Sequence, residues 1–175
     1  GEIVSETLRI GVAGLGTVGA GVVGLIEQQA DLLARRCGRA IRVTEVSARD
    51  RSRDRGIDLS AYTWRDDAVE LAGSDRVDVV LELIGGEGGP AKAVVEAAIA
   101  AGKSVVTANK ALIAHHGLEL ALAAEAAGVI LNYEAAVAGG IPIVKALREG
   151  LAGNRFSRVY GILNGTCNYI LTQMQ

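Results

Sequence analysis

Short β-branched apolar runs alternate along this chain with longer stretches whose apolar residues recur at helical spacing. Leu8–Ala13 (LRIGVA) predicts a strand that runs directly into Gly14-Leu15-Gly16-Thr17-Val18-Gly19, and helical spacing continues over 17–36. Ile41–Ser47 alternates apolar and polar positions as a second strand, after which the arginine-rich stretch 48–63 predicts a loop. A short helix over 66–72 then precedes a strand over 77–83. Ile84-Gly85-Gly86-Glu87-Gly88-Gly89-Pro90 is too dense in glycine for a regular element, and Pro90 suits the opening of a helix over 91–101. A strand over 103–107, a helix over 109–127 with a break near Gly117, and a strand over 129–133 continue the alternation, with Gly128 ending the helix.

Strands that alternate with helices imply right-handed βαβ units and a parallel sheet under helices, the α/β class. The last stretch departs from the pattern: a helix over 142–151, a strand over 156–163 and a helix start at Asn164-Gly165-Thr166. These elements are too few to enclose a core and read as the entrance to a second domain.

Composition agrees with this architecture. Half of the residues are apolar but aromatics supply only 3%, so Ala, Val, Leu and Ile must fill the interior, as they do in parallel sheets covered on both faces. A net charge of -2 offers no broad basic field, which excludes nucleic acid and anionic membrane as partners. No apolar run approaches the ~20 residues that span a bilayer, and the first residues lack a secretory pattern, so a cytoplasmic location is expected. Cys37 and Cys167 belong to no CxxC or Cys/His cluster, which argues against a zinc site or a disulfide framework.

The candidate chemistry starts at the first strand. Gly14-Leu15-Gly16-Thr17-Val18-Gly19 puts a glycine at the tight turn, a second where backbone approaches a pyrophosphate, and a third where helix meets strand. Strand, glycine turn and helix together predict a Rossmann-type doubly wound parallel sheet that binds a dinucleotide over residues 1–152, with the second domain starting at 153–175. At the end of the second strand an acid would serve a free ribose and an arginine a 2′-phosphate. Arg49, followed by Arg51, Arg53 and Arg55, favours NADP over NAD. Asp50 and Asp54 dilute that field, Asp50 could itself take a ribose, and a solvated charge-mixed loop is the alternative.

Three later segments carry a resemblance. Val105-Val106-Thr107-Ala108-Asn109-Lys110-Ala111-Leu112, Asn132-Tyr133-Glu134-Ala135-Ala136-Val137-Ala138-Gly139-Gly140-Ile141-Pro142 and Gly161-Ile162-Leu163-Asn164-Gly165-Thr166-Cys167-Asn168-Tyr169-Ile170-Leu171 resemble homoserine dehydrogenase, in the family's order and spacing. The resemblance implies interconversion of L-homoserine and L-aspartate 4-semialdehyde with a nicotinamide cofactor, and a homodimer when full length. It implies a catalytic and cofactor-binding role for Lys110 beside the nicotinamide, with Ile84, Gly85 and Thr107 near the nicotinamide ribose. A carboxylate and carbonyls would hold a monovalent cation, sodium, at Glu134, Val137, Gly139 and Ile141; the alternative there is a helix-cap segment in which Glu134 pairs with a backbone amide. The family's principal acid–base lysine lies beyond this chain, which is therefore expected to bind dinucleotide without turning over homoserine alone. A non-enzymatic dinucleotide-sensing Rossmann module and another NAD(P)-dependent dehydrogenase are the competing readings.

Other conspicuous residues receive plain roles. Adjacent His115 and His116 cannot face one metal from a helix and read as surface residues, Trp64 as packing at an edge, Glu82 as structural, and Cys167 as non-catalytic.

Overall fold

Six short strands give the molecule its centre: β1 (Leu8–Ala13), β2 (Ile41–Ser47), β3 (Thr63–Arg65), β4 (Val79–Glu82), β5 (Ser104–Thr107) and β6 (Leu131–Asn132). The computed structural model describes residues 6–161 and 172–174. Every pairing between neighbouring strands is parallel, and the order across the sheet is β3-β2-β1-β4-β5-β6. The order reverses between β1 and β4. In doubly wound sheets, ligands bind in the crevice at the carboxyl ends of the strands flanking that reversal.

Helices α1 (Thr17–Gln28) and α2 (Ala30–Cys37) precede β2, and α3 (Ala68–Gly73), α4 (Pro90–Ala100) and α5 (Lys110–Ala127) connect the strands that follow. Val23 of α1 packs with Val12, Leu15 and Val46 in one cluster. Leu71 of α3, Val94 and Val95 of α4, and Leu112 and Leu120 of α5 pack with Val80 and Val105 in a second. Leu71, Leu112 and Leu120 are almost wholly enclosed, each contributing roughly 2–3 kcal/mol over an exposed leucine. Both interiors are aliphatic, as the scarcity of aromatics requires, and Tyr62 and Trp64 pack only at the margin.

Several boundaries differ from those read in the sequence. The predicted helix over 17–36 divides at Gln29, whose φ of -107° and ψ of 17° leave helical geometry. Its second part is electrically a separate helix, with Asp31 in the first turn, Arg35 and Arg36 in the last, a left-handed Gly38 cap and no buried residue. The predicted loop over 48–63 yields its last residue to β3, which pairs with β2 at the sheet edge. The break expected near Gly117 is absent, because α5 buries Leu112, Leu120 and Ala124 on one continuous face. The predicted helix over 142–151 becomes α6 (Ile143–Lys145), continued by a π-type stretch over Ala146–Gly150.

The predicted strand over 156–163 is not formed in its described part. Residues 156–161 are exposed and take no strand conformation among the described residues. Its last two residues and the helix start at Asn164-Gly165-Thr166 lie outside the described residues, as does Cys167. No described residue after Leu131 is buried, so the hydrophobic core closes at β6. No helix among the described residues is long and apolar enough to cross a membrane.

Candidate functional site

At the carboxyl end of β1 the chain turns sharply at Gly14, whose φ of 103° disfavours any residue with a Cβ. A Cβ there would also run into the Leu83 carbonyl, and one on Gly19 would run into the carbonyl oxygen of Gly14. These two glycines are required by the protein's own packing. Gly16 is different: its φ of -74° and ψ of -163° suit any residue, and nothing lies within 4 Å of where its Cβ would stand. Glycine at this position keeps open the space in front of α1. That helix has no side-chain cap and no acid in its first turn, so its free N–H groups and the positive end of its dipole face the opening unneutralised. Leu15 is buried in the core while Thr17 and Val18 are exposed, which leaves backbone as the main surface the turn presents.

The opening belongs to a cleft of about 850 Å³ bounded by Gly14, Leu15 and Gly16, the segment from Ser47 to Asp50, the start of α3, and Leu83 and Ile84. Arg55 ties one wall to the glycine turn. Its Nε donates to the Leu15 carbonyl (2.9 Å), and its Nη atoms donate to the carbonyls of Arg53 (2.7 Å) and Asp50. The guanidinium groups of Arg51 and Arg55 lie 5.8 and 5.7 Å from the centre of the Trp64 ring, which packs on edge strand β3. Asp50 is occupied locally. Hydrogen bonds from the Ser52 hydroxyl (2.7 Å) and amide (2.8 Å) hold its carboxyl below the usual aspartate range. The side chains of Arg49 and Arg53 line the cleft, are exposed, and form no hydrogen bond or ion pair among the described residues. Of the two groups that could meet a ribose hydroxyl or its phosphate, the arginine is therefore the uncommitted one.

On the other side of the switch point, β4 and β5 end side by side, Glu82 opposite Thr107. Thr107 is fully buried; its hydroxyl donates to Glu82 Oε2 (2.6 Å) and accepts from the Asn109 amide (3.0 Å). Asn109 caps α5 by accepting from the Leu112 amide (3.1 Å), and its Nδ2 donates to the Gly86 carbonyl (2.6 Å). Glu82 Oε1 accepts from the amides of Ile84 (2.8 Å) and Gly85 (3.3 Å). Lys110 is the first residue of α5, exposed on this edge, with no hydrogen bond or ion pair among the described residues. The structure thus gathers Ile84, Gly85, Thr107 and Lys110 along one rim, with the Thr107 hydroxyl turned inward to the protein.

Known proteins resemble this chain over nearly its whole length. The family model described as the homoserine dehydrogenase NAD binding domain matches residues 14–134, and the model described as homoserine dehydrogenase matches residues 142–175. The chain belongs to the homoserine dehydrogenase family. It is 48% identical to the homoserine dehydrogenase of Pseudomonas aeruginosa over 97% of its own length and 38% of that protein's. Against the enzyme of Corynebacterium glutamicum it is 49% identical over 99% of this chain and 39% of the relative. The crystal structure of a homoserine dehydrogenase from Thiobacillus denitrificans superposes with a TM-score of 0.86 at 44% identity, covering 97% of this chain and 39% of that one. The chain therefore spans less than half the length of these relatives.

Relative to the other homoserine dehydrogenase motifs, the structure is specific about Glu134. Its two carboxylate oxygens accept the amides of Val144 (3.0 Å) and Lys145 (2.7 Å), tying a 3-10 turn to the start of α6. The Val137 carbonyl accepts from Gly140 (2.9 Å) and that of Ile141 from Ile143 (2.7 Å), while Gly139 takes a φ of 65°. Glu134 thus pairs with backbone amides. His116 pairs with Glu119 at 2.7 Å and His115 faces Glu87 at 3.4 Å, both on the surface of α5. No group of three or more metal-ligating side chains occurs among the described residues. Asn109 was not singled out in the sequence as a site residue, and Arg55 was read only as one of the arginines that favour NADP. An Asn at a helix start is a recognisable cap, but its bond to Gly86 and that of Arg55 to Leu15 join distant segments and leave no local pattern.

Proposed function

We propose that this chain is the cofactor-binding part of an oxidoreductase that interconverts L-homoserine and L-aspartate 4-semialdehyde, with NADP(H) preferred over NAD(H). The observation that carries this reading is the open position at Gly16 before an uncapped helix N-terminus, on the same sheet edge as the unengaged Lys110. The bound dinucleotide supplies the hydride acceptor or donor. The chain's own residues do the rest: backbone at Gly14–Gly19 holds the pyrophosphate, Arg49 meets a 2′-phosphate, and the loop at Ile84 and Gly85 borders the nicotinamide ribose. Residues 153–175 begin a second domain that presents the substrate. Lys110 would hydrogen-bond the substrate oxygen and stabilise the negative charge that develops on it.

Two experiments test the roles. In the intact protein, Lys110→Ala is expected to lower kcat by about a hundredfold, in the range seen when one donor to a developing oxyanion is removed, with a much smaller loss of dinucleotide affinity. Unchanged kcat would remove Lys110 from the chemistry. For cofactor choice, Arg49→Ala should weaken NADPH binding by about tenfold and leave NADH binding as it was, since one charge-assisted contact to phosphate is lost. Equal loss for both, or a parent chain that binds NADH as tightly as NADPH, would refute the preference.

A further inference from the structure

Glu82 is a fully buried carboxylate that ends β4 without a cationic partner among the described residues. Burying a charge is costly unless donors compensate, and here the donors are the Thr107 hydroxyl and the amides of Ile84 and Gly85. Each donor comes from a segment at the rim of the crevice. We infer that Glu82 is a positioning residue that fixes the two rim segments facing the nicotinamide half of the cofactor, one through its backbone amides and the other through Thr107. This inference rests on the cofactor reading above.

The bonds form a closed circuit. Glu82 accepts from Thr107, Thr107 accepts from the Asn109 amide, Asn109 donates to the Gly86 carbonyl, and the amide of neighbouring Gly85 returns to Glu82. The loop it encloses takes left-handed dihedrals at Gly85 (φ 83°) and Gly86 (φ 92°), so local preference alone does not hold it in place. With two amides drawn inward to Glu82, the outer surface of the loop is set. On the other arm, Asn109 immediately precedes Lys110, and its cap on Leu112 fixes the first turn of α5 from which that lysine projects. Simple support of the sheet would not need a carboxylate, because an apolar side chain of similar size fills a core position at lower cost. A carboxylate is needed where one side chain must accept from two backbone amides and a hydroxyl together.

The test compares two probes on the 175-residue chain: NADPH, and 2′-phosphoadenosine 5′-diphosphate, which keeps the adenosine half and the pyrophosphate and lacks both the nicotinamide and its ribose. Glu82→Gln and Thr107→Val should each weaken NADPH by about tenfold, the worth of one hydrogen bond to a charged group, while affinity for 2′-phosphoadenosine 5′-diphosphate stays within about twofold. Amide hydrogen exchange at Ile84 and Gly85 should accelerate in Glu82→Gln, and Thr107→Ser, which keeps the hydroxyl, should restore NADPH affinity. Should Glu82→Gln fail to fold, the Thr107→Val and Thr107→Ser pair decides the matter, because the carboxylate and its two amides remain. Equal losses for both probes, no loss for NADPH, or no rescue by serine would overturn the inference. A parent chain that binds neither probe would instead overturn the cofactor reading on which it rests.

Discussion

Alanine at Gly16 is expected to leave the fold as stable as the parent and to cut dinucleotide affinity by at least about a hundredfold, close to 2.7 kcal/mol. The backbone at Gly16 already occupies a region open to any residue, and a Cβ there meets no protein atom within 4 Å, so folding has no reason to be penalised. The methyl group would stand in the space before the α1 N-terminus, where a pyrophosphate must come close to take hydrogen bonds from backbone amides. Gly19→Ala makes the contrast. Its Cβ would strike the Gly14 carbonyl oxygen, so it should lower the melting temperature and distort the turn before any ligand is added. Thermal melts beside NADPH titrations separate the two cases, and Gly16→Ala binding as tightly as the parent would sink the assignment of this opening to phosphate.

Arg65→Ala should lower the melting temperature by roughly 6–12 °C at neutral pH, because it strips the charge partner from a carboxylate enclosed within the fold. Glu45 is fully buried on β2, where it accepts from Arg65 Nε (2.8 Å), Arg65 Nη2 (3.1 Å) and the Ser74 hydroxyl (2.9 Å). Burial alone would push its carboxyl up, but the bonds from Arg65 and Ser74 outweigh that and hold it below the ordinary value of 4.5. The folded carboxyl thus loses its proton more readily than the unfolded one. Its contribution to stability is complete above pH 4.5 and declines as pH falls through the lowered value. Without Arg65 the burial that pushes the carboxyl up loses its largest counterweight, so the deficit of the variant should narrow as the solution is acidified and both proteins come to hold a neutral Glu45. A deficit that stays constant from neutral to acid pH would show that the lost stability has another origin.

That ion pair also marks the limit of reading this chain from its sequence. The glycine turn was legible because its requirements are local: a positive φ at Gly14, a close approach at Gly19 and an open face at Gly16 each act within a few residues of a strand and a helix start. The order of strands and helices was legible for the same reason. Strand β3 was not, because Thr63-Trp64-Arg65 is too short to show alternation, and the structure holds it through its pairing with β2 and through Arg65 reaching Glu45, twenty positions earlier. The division of the first helix at Gln29 was hidden by helical spacing that carries on across it. Within the site, Lys110 and Thr107 were picked out by motif and Ile84 and Gly85 by the glycine-dense loop after a strand, and the four share one rim. That the Thr107 hydroxyl faces Glu82, however, depends on the register of β4 with β5, which no local pattern encodes.

We place a nicotinamide dinucleotide across the carboxyl edge of this sheet, over the glycine turn and toward Lys110. Backbone amide chemical-shift mapping of the chain during titration with NADPH tests this placement most directly. Saturable shifts confined to Gly14–Gly19, the Arg49–Arg55 loop, Ile84–Gly86 and the start of α5 are predicted; no saturable shifts, or shifts centred on another surface, would contradict it.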